Sequence, residues 1–217
     1  MHRTKSLRRC SIAVALAMAL LAWPAISDAQ LGGILPSPPT TTTSTVVGDA
    51  SAARVSVLGI LGTAMTTALA DTGTLSGVND ARDASMVTGS IPLTLSAETL
   101  SAATISWVDQ VQSEASLANL NMTIAGVGIT ADLVMARASQ VLGAAGTGSS
   151  TLSNLSINGT PIAVTGAPNQ AIWIPGGQVI LNEQTISSTG AAAVNALHVV
   201  VTGVADVVVA SATAGVS

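Results

Sequence analysis

Few side chains in this sequence could carry out nucleophilic or acid–base chemistry. Beyond residue 29 the chain has one histidine, His198, and it has neither cysteine nor lysine. A serine nucleophile needs a histidine base with an acid behind it, so any such set would have to include His198. No Gly-x-Ser-x-Gly turn is present to expose a serine. Because His198 lies in an alternating apolar run, we interpret it as structural and predict no catalytic residues.

Carboxylates are the other groups that could react or bind a metal. Asp71, Asn79, Asp80 and Asp83 lie near one another in the sequence and could bind calcium, although their spacing matches no calcium loop. Solvated turns account for these residues equally well. Zinc requires three or four nitrogen or sulfur ligands, and the chain beyond residue 29 supplies only His198. We therefore predict no metal or cofactor site and leave calcium open.

Hydrolysis of a glycoside would need a pair of acids. Glu98, Glu114 or Glu183 could act together with the acidic region just described. Sugar sites usually also contain aromatic platforms, and beyond residue 29 the only aromatic residues of the Phe, Tyr and Trp types are Trp107 and Trp173. We predict that both tryptophans belong to the core.

A repeated phrase predicts the elements that would position these groups. Residues 116–122 read SLANLNM, and residues 151–157 read TLSNLSI. The first copy leads into a glycine turn at residues 125–128 and the second into Asn158-Gly159, with apolar runs on both sides. This pattern predicts two β-hairpins at the centre of the chain.

The rest of the sequence from residue 46 has the pattern of short strands separated by turns every eight to twelve residues or so. We predict strands at residues 90–95, 99–108 and 113–124, a polar loop at residues 77–89, and a strand rather than a helix at residues 129–145. The predicted fold is all-β, an antiparallel, hairpin-rich β-sandwich. A β-solenoid or prism-like fold is the alternative, although two copies of a repeat are fewer than a solenoid needs.

The N-terminal residues have the pattern of an export signal. Residues 1–9 are basic, residues 11–23 are apolar, and small residues precede Gln30, which predicts a signal peptide with a helical core at residues 1–29 and cleavage near Ala29. Residues 30–45, rich in proline and threonine, form a predicted linker. Residues 46–217 form a single predicted domain.

Charge and composition exclude several classes of partner. Beyond residue 29, three arginines and ten acids give a net charge of −7, so nucleic acid and anionic membranes are repelled. We find neither a transmembrane segment after the signal nor a C-terminal anchor. The single Cys10 lies in the predicted signal, and the domain lacks phenylalanine and tyrosine, so stability must come from packing aliphatic side chains. The sequence leaves the oligomeric state open.

Distinctive blocks occur at residues 70–75, 113–120, 129–138, 158–162, 168–169, 181–184, 194–199 and 205–212. These blocks resemble the bacterial choice-of-anchor P family. The resemblance covers about residues 46–217 and implies an exported bacterial protein, without transferring any catalytic residue. The sequence departs from the family in ending at Ser217 without an anchoring tail, so we expect release or periplasmic retention.

Together these patterns predict an exported, non-enzymatic β-domain that acts as a structural, binding or adhesion module of the cell envelope or exterior, with an unidentified partner. A carbohydrate-active or calcium-dependent enzyme that uses the acids is the first alternative. The second is a repetitive β-surface that binds ice or a polymer lattice.

Overall fold

The structure, a computed structural model, describes residues 44–58 and 63–217. Within these residues the fold is all-β, with two antiparallel sheets packed face to face and no helix. The predicted antiparallel β-sandwich is therefore confirmed. The predicted signal helix at residues 1–29 and nearly all of the predicted linker lie outside the described residues.

Thirteen strands make up the described part of the chain. In chain order they are β1 (Val46–Leu58), β2 (Ala64–Asp71), β3 (Ala81–Ile91), β4 (Leu95–Ser106), β5 (Gln110–Ile124), β6 (Val127–Val141), β7 (Thr147–Ser153), β8 (Ser156–Ile157), β9 (Thr160–Pro161), β10 (Gln170–Ile174), β11 (Gly177–Ile186), β12 (Ala192–Val201) and β13 (Ala205–Val216).

The strands divide into two sheets. Sheet A has the order β10-β11-β12-β13-β1-β2, and sheet B has the order β3-β4-β5-β6-β8-β9, with β7 also paired to β6. Strands β1 and β13 pair along almost their whole length. Beyond them, Thr45 and Ser217 exchange two backbone hydrogen bonds of 2.8 and 3.0 Å.

Small aliphatic side chains fill the space between the sheets. Most of the buried residues are alanine, valine, leucine or isoleucine. Where β1 passes over sheet B, residue 48 is glycine because a Cβ there would lie 2.5 Å from Leu75 Cδ1 and 2.7 Å from Thr104 Oγ1. The absence of large aromatic side chains from this core therefore goes with close approach of the two layers.

Polar side chains also link the two layers. In sheet B, Ser113 receives a hydrogen bond from the buried Thr104 hydroxyl and donates its own to the backbone oxygen of Thr213 in β13, at 2.6 Å. Gln140 of β6 accepts a bond from the backbone N–H of Val216 at 2.8 Å. These bonds satisfy polar groups inside the sandwich and fix the position of β13 over sheet B.

The alternation of inward and outward side chains shifts by one residue near the middle of most long strands. At each shift two consecutive residues point to the same side of the sheet, and we call these residues doubled positions. In sheet A the doubled positions point inward, and in sheet B they point outward. The pairing places them opposite one another, so they form one row across each sheet. The doubled pairs are 52–53, 69–70, 181–182, 196–197 and 209–210 in sheet A, and 98–99, 118–119 and 132–133 in sheet B.

Left-handed backbone occurs at several of these doubled positions. Asn119, Asn182 and Ala210 have φ values of 50°, 51° and 52°. Asparagine tolerates this region better than most residues because its short side chain can bond locally. The second copy of the repeat has Asn154 at the matching place, with φ of 52°. The asparagine shared by the two copies thus lies at a left-handed position in both, where its side chain suits the backbone.

Both predicted hairpins are confirmed. Ala125-Gly126 connects β5 to β6, and Asn158-Gly159 connects β8 to β9, each with two successive residues at positive φ, as a type I′ turn requires. The two copies of the repeat flank β6, one in β5 and one across β7 and β8. The strand predicted at residues 129–145 is also confirmed, although β6 ends at Val141.

Two local predictions are wrong. The polar loop predicted at residues 77–89 is mostly strand β3, because the backbone of residues 81–91 pairs with β4 while many of its polar side chains face solvent. The strand predicted at residues 90–95 is broken by a turn at residues 92–94, where Pro92 supplies no N–H and Leu93 has φ of 62°.

We expect Asn182→Ala to destabilise the protein by about 1–3 kcal/mol. Asn182 is 4% exposed, and its side chain donates to the Gly166 oxygen at 2.9 Å and accepts from Gln184 at 2.8 Å. Alanine would lose both bonds and would keep the strained φ. Urea unfolding would measure the difference.

The control for this variant is Asn121→Ala, at an exposed position in β5. Its change should stay within about 0.5 kcal/mol. Equal losses in the two variants would contradict the special role given to Asn182.

Candidate functional site

His198 lies on the outer face of sheet A, between two carboxylates. Its Nδ1 is 2.8 Å from Glu183 Oε2 in β11, and its Nε2 is 3.1 Å from Asp206 Oδ1 in β13. Asn195 donates a further bond to Glu183 at 2.7 Å. Both ring nitrogens therefore face acceptors, and the imidazolium form can donate to both at once.

This arrangement does not match a nucleophilic triad. A triad leaves one ring nitrogen for a serine hydroxyl, whereas both nitrogens of His198 contact carboxylates. The side chains of His198 and Glu183 are 16% and 26% exposed. The cluster connects three neighbouring strands of sheet A from outside and can act as a clamp between them.

The three glutamates proposed for glycoside hydrolysis lie in different sheets. Glu183 lies on the outer face of sheet A, whereas Glu98 and Glu114 lie in sheet B. Glu98 accepts a hydrogen bond from Asn119 at 2.8 Å, and Glu114 one from Arg137 at 2.6 Å. Within residues 44–58 and 63–217 no group of three or more His, Cys, Asp or Glu side chains is placed to hold a metal ion.

Asp80 closes the connection between β2 and β3, where the chain passes from sheet A to sheet B. Its carboxylate accepts bonds from the backbone N–H and the hydroxyl of Ser76, at 2.8 and 2.7 Å, and from Arg82 at 3.1 Å. The two bonds from Ser76, followed by that from Arg82, lower the pKa of Asp80 from 3.8 to about 2. Asp71, which the sequence grouped with Asp80 as a possible calcium ligand, accepts hydrogen bonds from Arg54 and from the Gly73 N–H.

The tryptophans are placed differently from the prediction that both belong to the core. Trp173 is 80% exposed on β10, the edge strand of sheet A, and Trp107 is 39% exposed in the β4–β5 turn. The prediction failed because the inward positions of β10 are taken by Ile172 and Ile174, which pack against the core. Alternation within the strand then directs Trp173 outward.

A groove of about 1010 Å³ lies on the outer face of sheet B. A row of paired residues crosses its floor, in which Asp83 lies opposite Ala103, Ala103 opposite Glu114, Glu114 opposite Arg137, and Arg137 opposite Ser149. Besides the buried Thr104 and Ser113, the polar uncharged residues of the lining are Ser101, Gln112, Ser116, Ser139, Thr147 and Ser149.

Sequence reasoning missed this groove as a site. The outward positions of β4 to β6 follow from alternation, and the register that brings Glu114 against Arg137 follows from the position of the β5–β6 turn. Those two residues are 23 positions apart and belong to strands joined by a two-residue turn. With the turn at Ala125-Gly126 taken as the centre of the hairpin, counting outward would have paired them.

We expect Asp80→Asn to reduce the loss of stability in acid. The folded-state pKa of about 2 lies below the unfolded value of about 3.9, so the carboxylate stabilises the fold above about pH 4 and loses this effect as the pH falls towards 2. The urea midpoint measured at pH 6 and pH 3 should therefore fall less in the variant than in the wild type.

Asp109→Asn is the control, because Asp109 is exposed in the β4–β5 turn. It should keep the acid sensitivity of the wild type. The difference between the urea midpoints at pH 6 and pH 3 could instead be the same in Asp80→Asn as in the wild type. That result would show that the Ser76 bonds do not stabilise the ionised carboxylate.

A double-mutant cycle should detect the clamp around His198. We expect a coupling free energy of about 1–2 kcal/mol between His198→Ala and Glu183→Gln, because both side chains are largely shielded from solvent. The coupling to Asp206→Asn should be smaller, because Asp206 is 58% exposed. The reverse order would contradict this assignment, and chemical denaturation would measure both coupling free energies.

The comparisons with known proteins do not alter this assignment of roles. No family model matches the chain, and none of the curated proteins or solved structures matches it either. The resemblance to the choice-of-anchor P family therefore stays a prediction. No helix in the described residues is long and apolar enough to cross a membrane.

Proposed function

We propose that this chain is an exported bacterial β-domain that binds a component of the cell envelope or the exterior and does not catalyse a reaction. The observation that carries the proposal is the groove on sheet B, which presents polar side chains at fixed positions on paired strands. Concave surfaces of this kind are where ligands bind.

Export is supported by the sequence. The basic, apolar and small-residue regions of residues 1–29 have the order of a secretory signal. Residues 30–45 would act as a spacer between the cleavage site and the sandwich. The resemblance to the choice-of-anchor P family points to the same compartment.

Binding without reaction is supported by the state of the chemical groups. Both nitrogens of His198, the one histidine beyond residue 29, are held by carboxylates on the opposite sheet from the groove. In the groove, Glu114 accepts a charge-assisted bond from Arg137. Apart from Arg82 and Asp83, the remaining polar lining consists of hydroxyl and amide groups, which donate and accept hydrogen bonds and need a separate base to act as nucleophiles.

One observation favours a second candidate, an inverting glycoside hydrolase. Asp83 and Glu114 both line the groove, on β3 and β5, with β4 between them. Two strand spacings correspond to about 10 Å, close to the separation of about 6.5–9.5 Å that inverting enzymes use. We place this candidate second because the groove lining contains no aromatic residue to support a sugar.

The proposal predicts that the exported protein sediments with isolated bacterial cell envelopes and that Arg137→Ala lowers its affinity about tenfold or more, because a charged hydrogen-bond donor is lost. The protein would be purified after export, and its mass should place the new N-terminus near Gln30.

Arg54→Ala is the matched control, since Arg54 also forms a cross-strand ion pair, with Asp71, but on sheet A. It should bind envelopes as the wild type does. Equal binding of the two arginine variants would remove the groove from the proposal. Release of reducing sugar from the envelopes that Asp83→Asn abolishes would favour the hydrolase instead.

A further inference from the structure

We propose that the groove on sheet B binds a short peptide with free ends, whose carboxylate meets Arg137 and whose ammonium group meets Asp83. This inference rests on the proposed binding function and names the class of ligand. Two opposite charges in one row of residues, Asp83 on β3 and Arg137 on β6, with polar side chains beside the row, carry it.

Arg137 supplies the carboxylate end. Its Nε donates to Glu114 Oε2, and within residues 44–58 and 63–217 this is the one hydrogen bond that its side chain makes. The two terminal nitrogens of the guanidinium group therefore remain as donors, and the side chain is 56% exposed. A guanidinium held at Nε and free at its terminal nitrogens can bind a carboxylate through two parallel bonds.

Asp83 supplies the ammonium end. It is exposed, and the described residues offer it neither a hydrogen bond nor an ion pair. The neighbouring cation, Arg82, is bound to Asp80 in the β2–β3 connection. Asp83 therefore presents an uncompensated negative charge to the groove.

The distance between the two ends sets the length of the ligand. Asp83 and Arg137 are separated by three strand spacings, through Ala103 and Glu114, which corresponds to about 14 Å. A peptide extended at about 3.3–3.6 Å per residue covers this distance with about four residues. Ala103, the smallest side chain in the row, leaves room for the ligand backbone to cross.

The sides of the groove suit peptide groups. Ser101, Gln112 and Ser116 line it next to the row, and within the described part of the chain their side chains make no hydrogen bond. Each can donate and accept, as the alternating N–H and C=O groups of an extended peptide require. Sequence selectivity should be low because the lining contains no deep apolar pocket for a ligand side chain.

Other ligand classes fit these observations less well. An anionic polymer would be repelled by the net charge of −7 beyond residue 29. A neutral glycan would bring no opposite charge to Asp83 or Arg137 and would find no aromatic side chain in the lining. A zwitterion of the right length engages both charges.

Calorimetry with the exported protein would test the proposal, using tetraalanine, its N-acetyl form and its C-terminal amide. Tetraalanine should bind, and each blocked form should bind about tenfold more weakly or worse, because each loses one charged hydrogen-bonding group. Dialanine should also bind more weakly, because it cannot reach both ends.

Two variants assign each end of the peptide to its partner. In Asp83→Asn the penalty for acetylation should disappear while the penalty for amidation remains, and in Arg137→Gln the reverse should hold. Both residues are solvent-accessible, so the variants should fold, and circular dichroism would verify this. Arg54→Ala serves again as the control and should bind all three peptides as the wild type does.

The proposal is overturned if tetraalanine does not bind, or if the end-blocking penalties are the same in the variants as in the wild type. Envelope binding that depends on Arg137 without any binding of tetraalanine would leave the proposed function in place and remove only the peptide. Peptide binding without envelope binding would leave the peptide proposal in place and contradict the proposed binding to envelopes.

Discussion

The packing of small aliphatic side chains between two closely spaced sheets is the constraint on which the rest of this structure depends. With no phenylalanine or tyrosine available, the layers must approach until alanine and valine fill the gap. Gly48 and the short polar links from Ser113 and Gln140 to β13 are consequences of that approach. Larger core residues would separate the layers and leave these polar groups without partners.

The row of doubled positions gives the two sheets different outer surfaces. In sheet A the extra residue of each strand points inward, so Asn182, Ala196 and Ala210 add to the interior. In sheet B the extra residue points outward, so Glu98 and Asn119 add polar groups to the surface. Irregular positions of this kind bend strands, and the groove lies immediately beside this row on sheet B.

Alternation and turn chemistry made the fold class, both central hairpins and strand β6 predictable from the sequence. The same reasoning failed at β3, because Arg82, Asp83 and Gly89 resemble a loop when their pairing with β4 is unknown. The groove depends on register across five strands, β3 to β7, which is set by contacts between distant residues. Trp173 was misplaced because size and apolarity favour burial, whereas its strand has isoleucines at both inward positions.

Alternation along β5 and β6 also separates stability from binding. On β5, Ser113 points inward and bonds to β13, while its neighbours Gln112 and Glu114 line the groove. On β6, Gln140 points inward and bonds to Val216, while Ser139 lines the groove. The outward residues can therefore change without disturbing the bonds that hold the layers together. A scaffold of this kind can keep its fold while the chemistry of its groove varies, and the sequence of the outward positions alone would then decide what the groove binds.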